Sequence, residues 1–177
     1  MAYPKITVNT GLARKIIASD TIPIPTPDLS ILSGTTTAAT ANKLVDVGAD
    51  FSNVNVGDII YNDTDNTSAT VTAIDTSTIL SVSADIFTSP EDYEIYLGGP
   101  NGSSRIDSSE GCLLYVGSSL SPMTAAGSYV DVRVKTTAGN TITFENFPVG
   151  SYLPIQITQL LLTSTTAEAR NACVAIW

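Results

Sequence analysis

Val130, Val132 and Val134 alternate with Asp131, Arg133 and Lys135, and after Thr137-Ala138-Gly139-Asn140 the chain starts back through Thr141-Ile142-Thr143-Phe144-Glu145. Alternation of this kind puts the valines on one face of a pleated strand and the charges on the other, which makes the stretch a β-hairpin with one apolar face. The same period of two runs through Ala69-Thr70-Val71-Thr72-Ala73-Ile74. Shorter apolar runs at Ile59-Ile60-Tyr61, Ile79-Leu80-Ser81-Val82, Tyr93-Glu94-Ile95-Tyr96-Leu97 and Cys112-Leu113-Leu114-Tyr115-Val116 are each bounded by polar, turn-forming residues. No stretch sustains helical spacing over three turns, and Thr165 to Asn171 has room for a single turn. The chain is therefore expected to be all-β.

The organisation reads as three parts. Residues 1–33 form an extended N-terminal arm, in which Ile6 and Val8 alternate with polar neighbours and Leu12 to Ile17 is a short apolar patch carrying Arg14 and Lys15. The arm ends in Ile22-Pro23-Ile24-Pro25-Thr26-Pro27, where proline fixes φ and removes backbone donors, so this piece is extended and excluded from the middle of a sheet. It is expected to act as a strap, either across a neighbouring subunit or as an ordered linker within one protomer. Residues 34–97, with about five short strands separated by polar turns, read as an inserted small β-barrel module. The glycine-rich stretch Gly98-Gly99-Pro100-Asn101-Gly102 marks a boundary, and residues 98–177 are expected to form a β-sandwich or jelly-roll-like body. The sequence ends on Ala172-Cys173-Val174-Ala175-Ile176-Trp177, an apolar run expected to be tied into a sheet or an interface.

Charge narrows the partners. Lys and Arg number 8 against 17 Asp and Glu, a net −9, and the basic residues are scattered. Binding to nucleic acid or to an anionic membrane surface needs a concentrated basic patch, so neither partner is expected. No apolar run is long enough for a membrane-crossing helix, and Met1-Ala2-Tyr3-Pro4-Lys5 is not followed by the apolar core of a signal peptide, so synthesis and folding in a cytoplasm are expected.

Chemistry is sparse. The chain has no histidine, which removes Ser-His-Asp and Cys-His catalysis and leaves a zinc site almost without ligands. The two cysteines, Cys112 and Cys173, sit in separate apolar runs without CxxC spacing and read as buried free thiols, with a disulfide between them as the alternative. Most of the acidic residues fall in predicted turns, where Asp is favoured because its side chain bonds its own backbone. Asp63-Thr64-Asp65-Asn66-Thr67 offers oxygen ligands but lacks the glycine and the distal glutamate of a calcium loop, so no metal and no cofactor are expected. Tyr61, Tyr93 and Tyr96 are the candidates for a carbohydrate-binding groove, against the alternative that they pack in a core.

Several pieces of the C-terminal region together resemble a known family. They are Leu114-Tyr115-Val116-Gly117, Val130 to Val134 with Thr141-Ile142-Thr143-Phe144, Pro148-Val149-Gly150 with Leu153-Pro154-Ile155, Thr163-Ser164-Thr165-Thr166-Ala167, and Ala175-Ile176-Trp177. In this order, over residues 112–177, they resemble small virion proteins of tailed phages, in particular the head spike-base proteins of gene-transfer agents and related phages. The loop Ser118 to Ser128 is longer than in that pattern. Residues 35–97 separately resemble a small β-module that recurs in phage structural proteins. The resemblance implies a non-enzymatic bacteriophage structural protein on the capsid exterior, of the cement, decoration or spike-base type, forming a homo-oligomer. A trimer is favoured, with the major capsid protein or another virion protein as partner. A tail, neck or baseplate adaptor and a carbohydrate-binding adhesin are the alternatives. On this reading Ile6, Val8, Ile22, Pro23, Ile24, Pro25 and Trp177 are the candidate interface residues.

Overall fold

Residues 12–25, 30–98, 111–120 and 128–177 are described by the computed structural model. Among them are twelve strands, arranged in three antiparallel sheets, a 3-10 turn at Phe51–Asn53 and one short α-helix, so the fold is all-β. Ile6, Val8 and most of the glycine-rich boundary stretch lie outside the described residues.

The hairpin forms where the alternation places it. Strand β9 (Tyr129–Thr136) pairs with β10 (Thr141–Pro148), with Val134 opposite Ile142 and Val132 opposite Phe144. Val130, Val132 and Val134 are buried, while Asp131 and Lys135 face solvent. Strand β11 (Ile157–Leu160) joins the other side of β9, giving the sheet order β10-β9-β11. A second sheet, β1-β12-β8, is built from β1 (Ala13–Lys15), β12 (Val174–Ile176) and β8 (Leu113–Tyr115). The C-terminal run is thus the middle strand of a sheet, and Trp177 N–H donates to the Leu12 carbonyl at 3.0 Å. Isolated bridges at Cys112–Ile157 and Tyr115–Tyr152 stitch the two sheets around one core of Ile16, Leu114, Val132, Leu153, Ile157 and their neighbours. Six strands in two sheets make a small sandwich, fewer than the eight of a jelly roll. Helix α1 (Ala167–Arg170) is the single turn expected from the sequence.

The module is one curled sheet in the order β2-β7-β4-β5-β6-β3. Its strands are β2 (Ser30–Thr35), β3 (Lys43–Val45), β4 (Ile59–Asn62), β5 (Thr67–Thr76), β6 (Ile79–Val82) and β7 (Asp92–Tyr96). The bend comes from β5, which pairs with β4 through Thr67–Thr70 and then with β6 through Val71–Thr76, with two register irregularities on the β6 side. Ile74 lies on the face of Thr70 and Thr72 and is 43% exposed, as the alternation with buried Ala69 and Val71 places it. The sheet ends approach each other through a bridge between Ala38 and Val45, so the curl is a partial barrel.

The arm boundary expected after residue 33 falls inside β2, which belongs to the module sheet. Ser30-Ile31-Leu32-Ser33-Gly34-Thr35 lacks clean alternation because no residue of it is fully buried. Gly34 is required there: a Cβ would lie 2.6 Å from the Tyr93 hydroxyl oxygen and 2.8 Å from the Asp46 carboxylate.

The strap stays on its own protomer. Ile16 and Ala18 N–H donate to the carbonyls of Cys173 and Arg170, Ser19 N–H to Leu160, and Ile24 N–H to Thr158. Asp20 accepts from the amide and hydroxyl of Thr163 at 3.0 and 2.7 Å, and Gln159 Nε2 donates to the Ser19 carbonyl at 2.8 Å. Of the two strap readings, the described residues follow the linker within one protomer.

Candidate functional site

Strands β4 and β7 are covered on both faces, and that sets the site. Ile60, Tyr93 and Ile95 point into the module core with Phe51, Leu80 and Phe87. On the other face, Ile59, Tyr61 and Tyr96 pack against Ile17 and Ile22 of the strap. Double coverage explains why Ile59-Ile60-Tyr61 is a continuous apolar run with no polar alternation.

Into this seam β1 sends Arg14. Its guanidinium carbon lies 4.9 Å from the centre of the Tyr61 ring and 4.5 Å from that of Tyr96. The two rings meet edge to face at 5.7 Å, forming a corner around the cation. Nη1 donates to Glu94 Oε2, and Nη2 to Asp63 Oδ1 at 3.0 Å. The Arg14 side chain is 14% exposed, so these contacts are screened far less than a surface pair. Lys15 Nζ adds a bond to Asn66 Oδ1 at 2.6 Å. Burial raises the Asp63 carboxyl above its ordinary range; Arg14 pulls it back down, and the Glu94 charge pushes it up again. Burial also raises the Tyr61 phenol, against the opposing pull of Arg14. Arg14 Nε and Tyr96 Oη are shielded from solvent without a hydrogen-bond partner.

Beside the corner a cleft of about 500 Å³ opens between module and body, lined among others by Ile17, Ser19, Asp65, Thr67, Leu162 and Arg170. At its module side two carboxyl groups interact. Asp65 is raised, chiefly because it hydrogen-bonds the Glu91 carboxylate. For Glu91 burial acts upward, but the Thr88 hydroxyl and amide, Asp65 and Asn62 together bring it below its ordinary value. Divergent carboxyl pairs are a pattern of acid–base chemistry. Here, however, Glu91 is 6% exposed and accepts from Thr88 N, Thr88 Oγ1 and Asn62 Nδ2 at 2.7, 2.7 and 3.0 Å. Its oxygens are committed to tying the 86–91 turn to β4.

The other sequence candidates fall as follows. Tyr61, Tyr93 and Tyr96 are at most 1% exposed and offer no open aromatic groove. Tyr93 donates to Asp46 Oδ2 at 2.8 Å inside the module core. In the turn 63–67, Asp63 faces Arg14, and Asn62 Oδ1 accepts from the amides of Thr64 and Asp65. Among the described residues no three His, Cys, Asp or Glu side chains are grouped to hold a metal ion. Cys112 and Cys173 are buried free thiols, pushed up by burial to about 12 and about 11, so thiolate chemistry is suppressed. Ile22 and Ile24 are buried in their own chain, Ile22 in the seam and Ile24 in the body core, and Pro25 is buried as well. Pro23 is half-buried, and Trp177 packs half-buried against the body core. Arg14 and Glu94 were not legible as a pair, because 80 residues separate them. The available signal was an arginine set in the apolar patch Leu12 to Ile17.

Comparison of the chain with protein-family models, with curated proteins and with solved structures returns no match.

Proposed function

We propose that this chain is a non-enzymatic structural component of a tailed-phage virion, a capsid cement, decoration or head spike-base protein that binds the major capsid lattice as a homo-oligomer, most simply a trimer. The observation that supports this reading is the resemblance over residues 112–177. Its pieces are spread through the sequence, yet they supply β8, the β9–β10 hairpin and β12 around a single core. That shared core is what supports reading the pieces together.

The arrangement of the arm refines where contacts between copies would lie. Ile22, Ile24 and Pro25 are buried within the protomer, so Ile6, Val8 and the exposed sides of Pro23 and Trp177 are the candidates that remain for neighbours. Deleting residues 2–11 leaves β1 and the strap in place, and it is expected to lower the oligomer mass in light scattering or to abolish capsid binding. Wild-type mass together with wild-type capsid binding would remove the arm from the interface. Electron microscopy of the native particle tests the reading as a whole: density for this chain is expected on the capsid exterior. Density at the tail, neck or baseplate would select the adaptor reading, and absence of the chain from purified particles would overturn both. The adhesin reading loses its proposed tyrosines to the core and the seam.

A further inference from the structure

The corner formed by Tyr61, Tyr96, Asp63 and Glu94 belongs entirely to the module, whereas the cation in it belongs to β1, a strand of the body sheet. We propose that this corner is a guanidinium-recognition site carried by the module, with Arg14 as its resident ligand, and that occupancy of the site is what docks the module on the body. This stands apart from the virion reading, because it concerns one protomer in solution.

Two observations select a guanidinium over other cations, and two more show that the corner calls for a cation and is not fully satisfied by Arg14. Two ring faces lie within 5 Å of the central carbon, the geometry that suits a planar, weakly hydrated cation better than a compact ammonium. The two carboxylates engage different terminal nitrogens, Glu94 at Nη1 and Asp63 at Nη2, which a single ammonium nitrogen does not reproduce. Without a cation, Asp63 and Glu94 would face each other with Asp92 nearby, three acidic side chains at the edge of an apolar seam. Finally, Tyr96 Oη is wholly shielded with no partner, so the site holds one polar group that Arg14, tethered through β1, does not satisfy.

The test uses the full-length chain and chemical rescue. Arg14→Ala should lower the melting temperature, and millimolar methylguanidinium chloride should restore most of the loss. Methylammonium chloride or sodium chloride at equal concentration should not. Adding Glu94→Gln to Arg14→Ala should abolish the rescue, and methylguanidinium should leave wild type unchanged because the site is filled. The proposal is overturned if Arg14→Ala melts as wild type, or if methylammonium rescues as well as methylguanidinium. Should Arg14→Ala fail to fold, Arg14→Lys decides: it is expected to melt clearly below wild type despite keeping the charge, and a wild-type melting temperature for it would sink the idea.

Discussion

The body encloses a core of Leu114, Val116, Val130, Val132, Val134, Ile157 and small neighbours such as Ala175 and Cys173, with Gln159 and Thr165 as its buried polar residues. The module buries Phe51, Phe87, Tyr93 and aliphatic residues, and with them Thr36, Asp46, Asp58, Asn62 and Glu91. Its carboxylates act as acceptors for backbone donors that tight turns leave over. Asp58 takes Asn55 N–H at 2.7 Å and Gly98 N–H at 2.9 Å, Asp46 takes Gly48 N–H at 2.9 Å, and Glu91 takes Thr88 N–H at 2.7 Å. The difference follows from construction. The body closes its sheets with strands drawn from both ends of the described chain, which satisfy backbone groups by pairing. The module is one curled sheet of short strands with frequent turns, and the backbone donors that those turns leave over are met by buried carboxylates. One consequence is that body and module should respond differently to loss of volume and to loss of charge.

The largest effect is expected in the apolar core of the body. Leu114 is fully buried, so Leu114→Ala should cost about 2–5 kcal/mol in urea unfolding; a cost under about 1 kcal/mol would mean that this core is loosely packed. Next comes the module: Asp58→Ala strands the buried Gly98 amide, at about 1–3 kcal/mol, and the part-buried Asn55 amide, at about 1 kcal/mol, and should cost about 2–4 kcal/mol. A negligible loss would show that water replaces the carboxylate and that the polar network is not what holds the module. Trp177→Ala should cost about 1–2 kcal/mol, below the about 3–5 kcal/mol of a fully buried aromatic, because the residue is only partly buried. A loss at the upper end would place the ring in a buried contact in solution, and a light-scattering mass that falls with the substitution would assign that contact to a neighbouring copy.

The smallest effect is the pH response, which separates the two units most cleanly. Glu91 titrates lower in the folded chain than its ordinary value of 4.5, so the unfolded chain binds the proton first. Its stabilisation is therefore present above about pH 4.5 and is lost as pH falls below that through the folded value. Asp65 shifts the other way, because the Glu91 carboxylate faces it, and offsets part of this. Melting curves between pH 6 and pH 3 should fall for wild type and fall less steeply for Glu91→Gln, which also releases Asp65. Identical slopes would assign the acid limb to other groups, Asp20 first, since the Thr163 hydroxyl and amide hold it below its ordinary range.

Much of the fold was legible because period-two patterns are local. The β9–β10 hairpin, the buried valines, the single turn of α1 and the strand character of 59–62, 79–82 and 93–96 all follow from residues within a few positions of one another. The arm boundary was missed because β2 is only partly buried and carries no alternation. The seam was not legible at all. Arg14 lies 49 residues from Asp63 and 80 from Glu94, and nothing in either segment specifies the other.

By itself, then, the sequence determined the all-β class, the lack of any histidine side chain, the hairpin and its faces, and the strand character of the C-terminal run, since each depends on composition or on neighbours along the chain. The tertiary structure alone decided that the C-terminal run is a central strand, that the proline strap is internal, that the module tyrosines are covered, and that Arg14 fills a corner of rings and carboxylates. Those outcomes depend on which surfaces meet, and apolar burial is non-directional until a specific pairing, such as two ring faces and two carboxylates around one guanidinium, fixes the register.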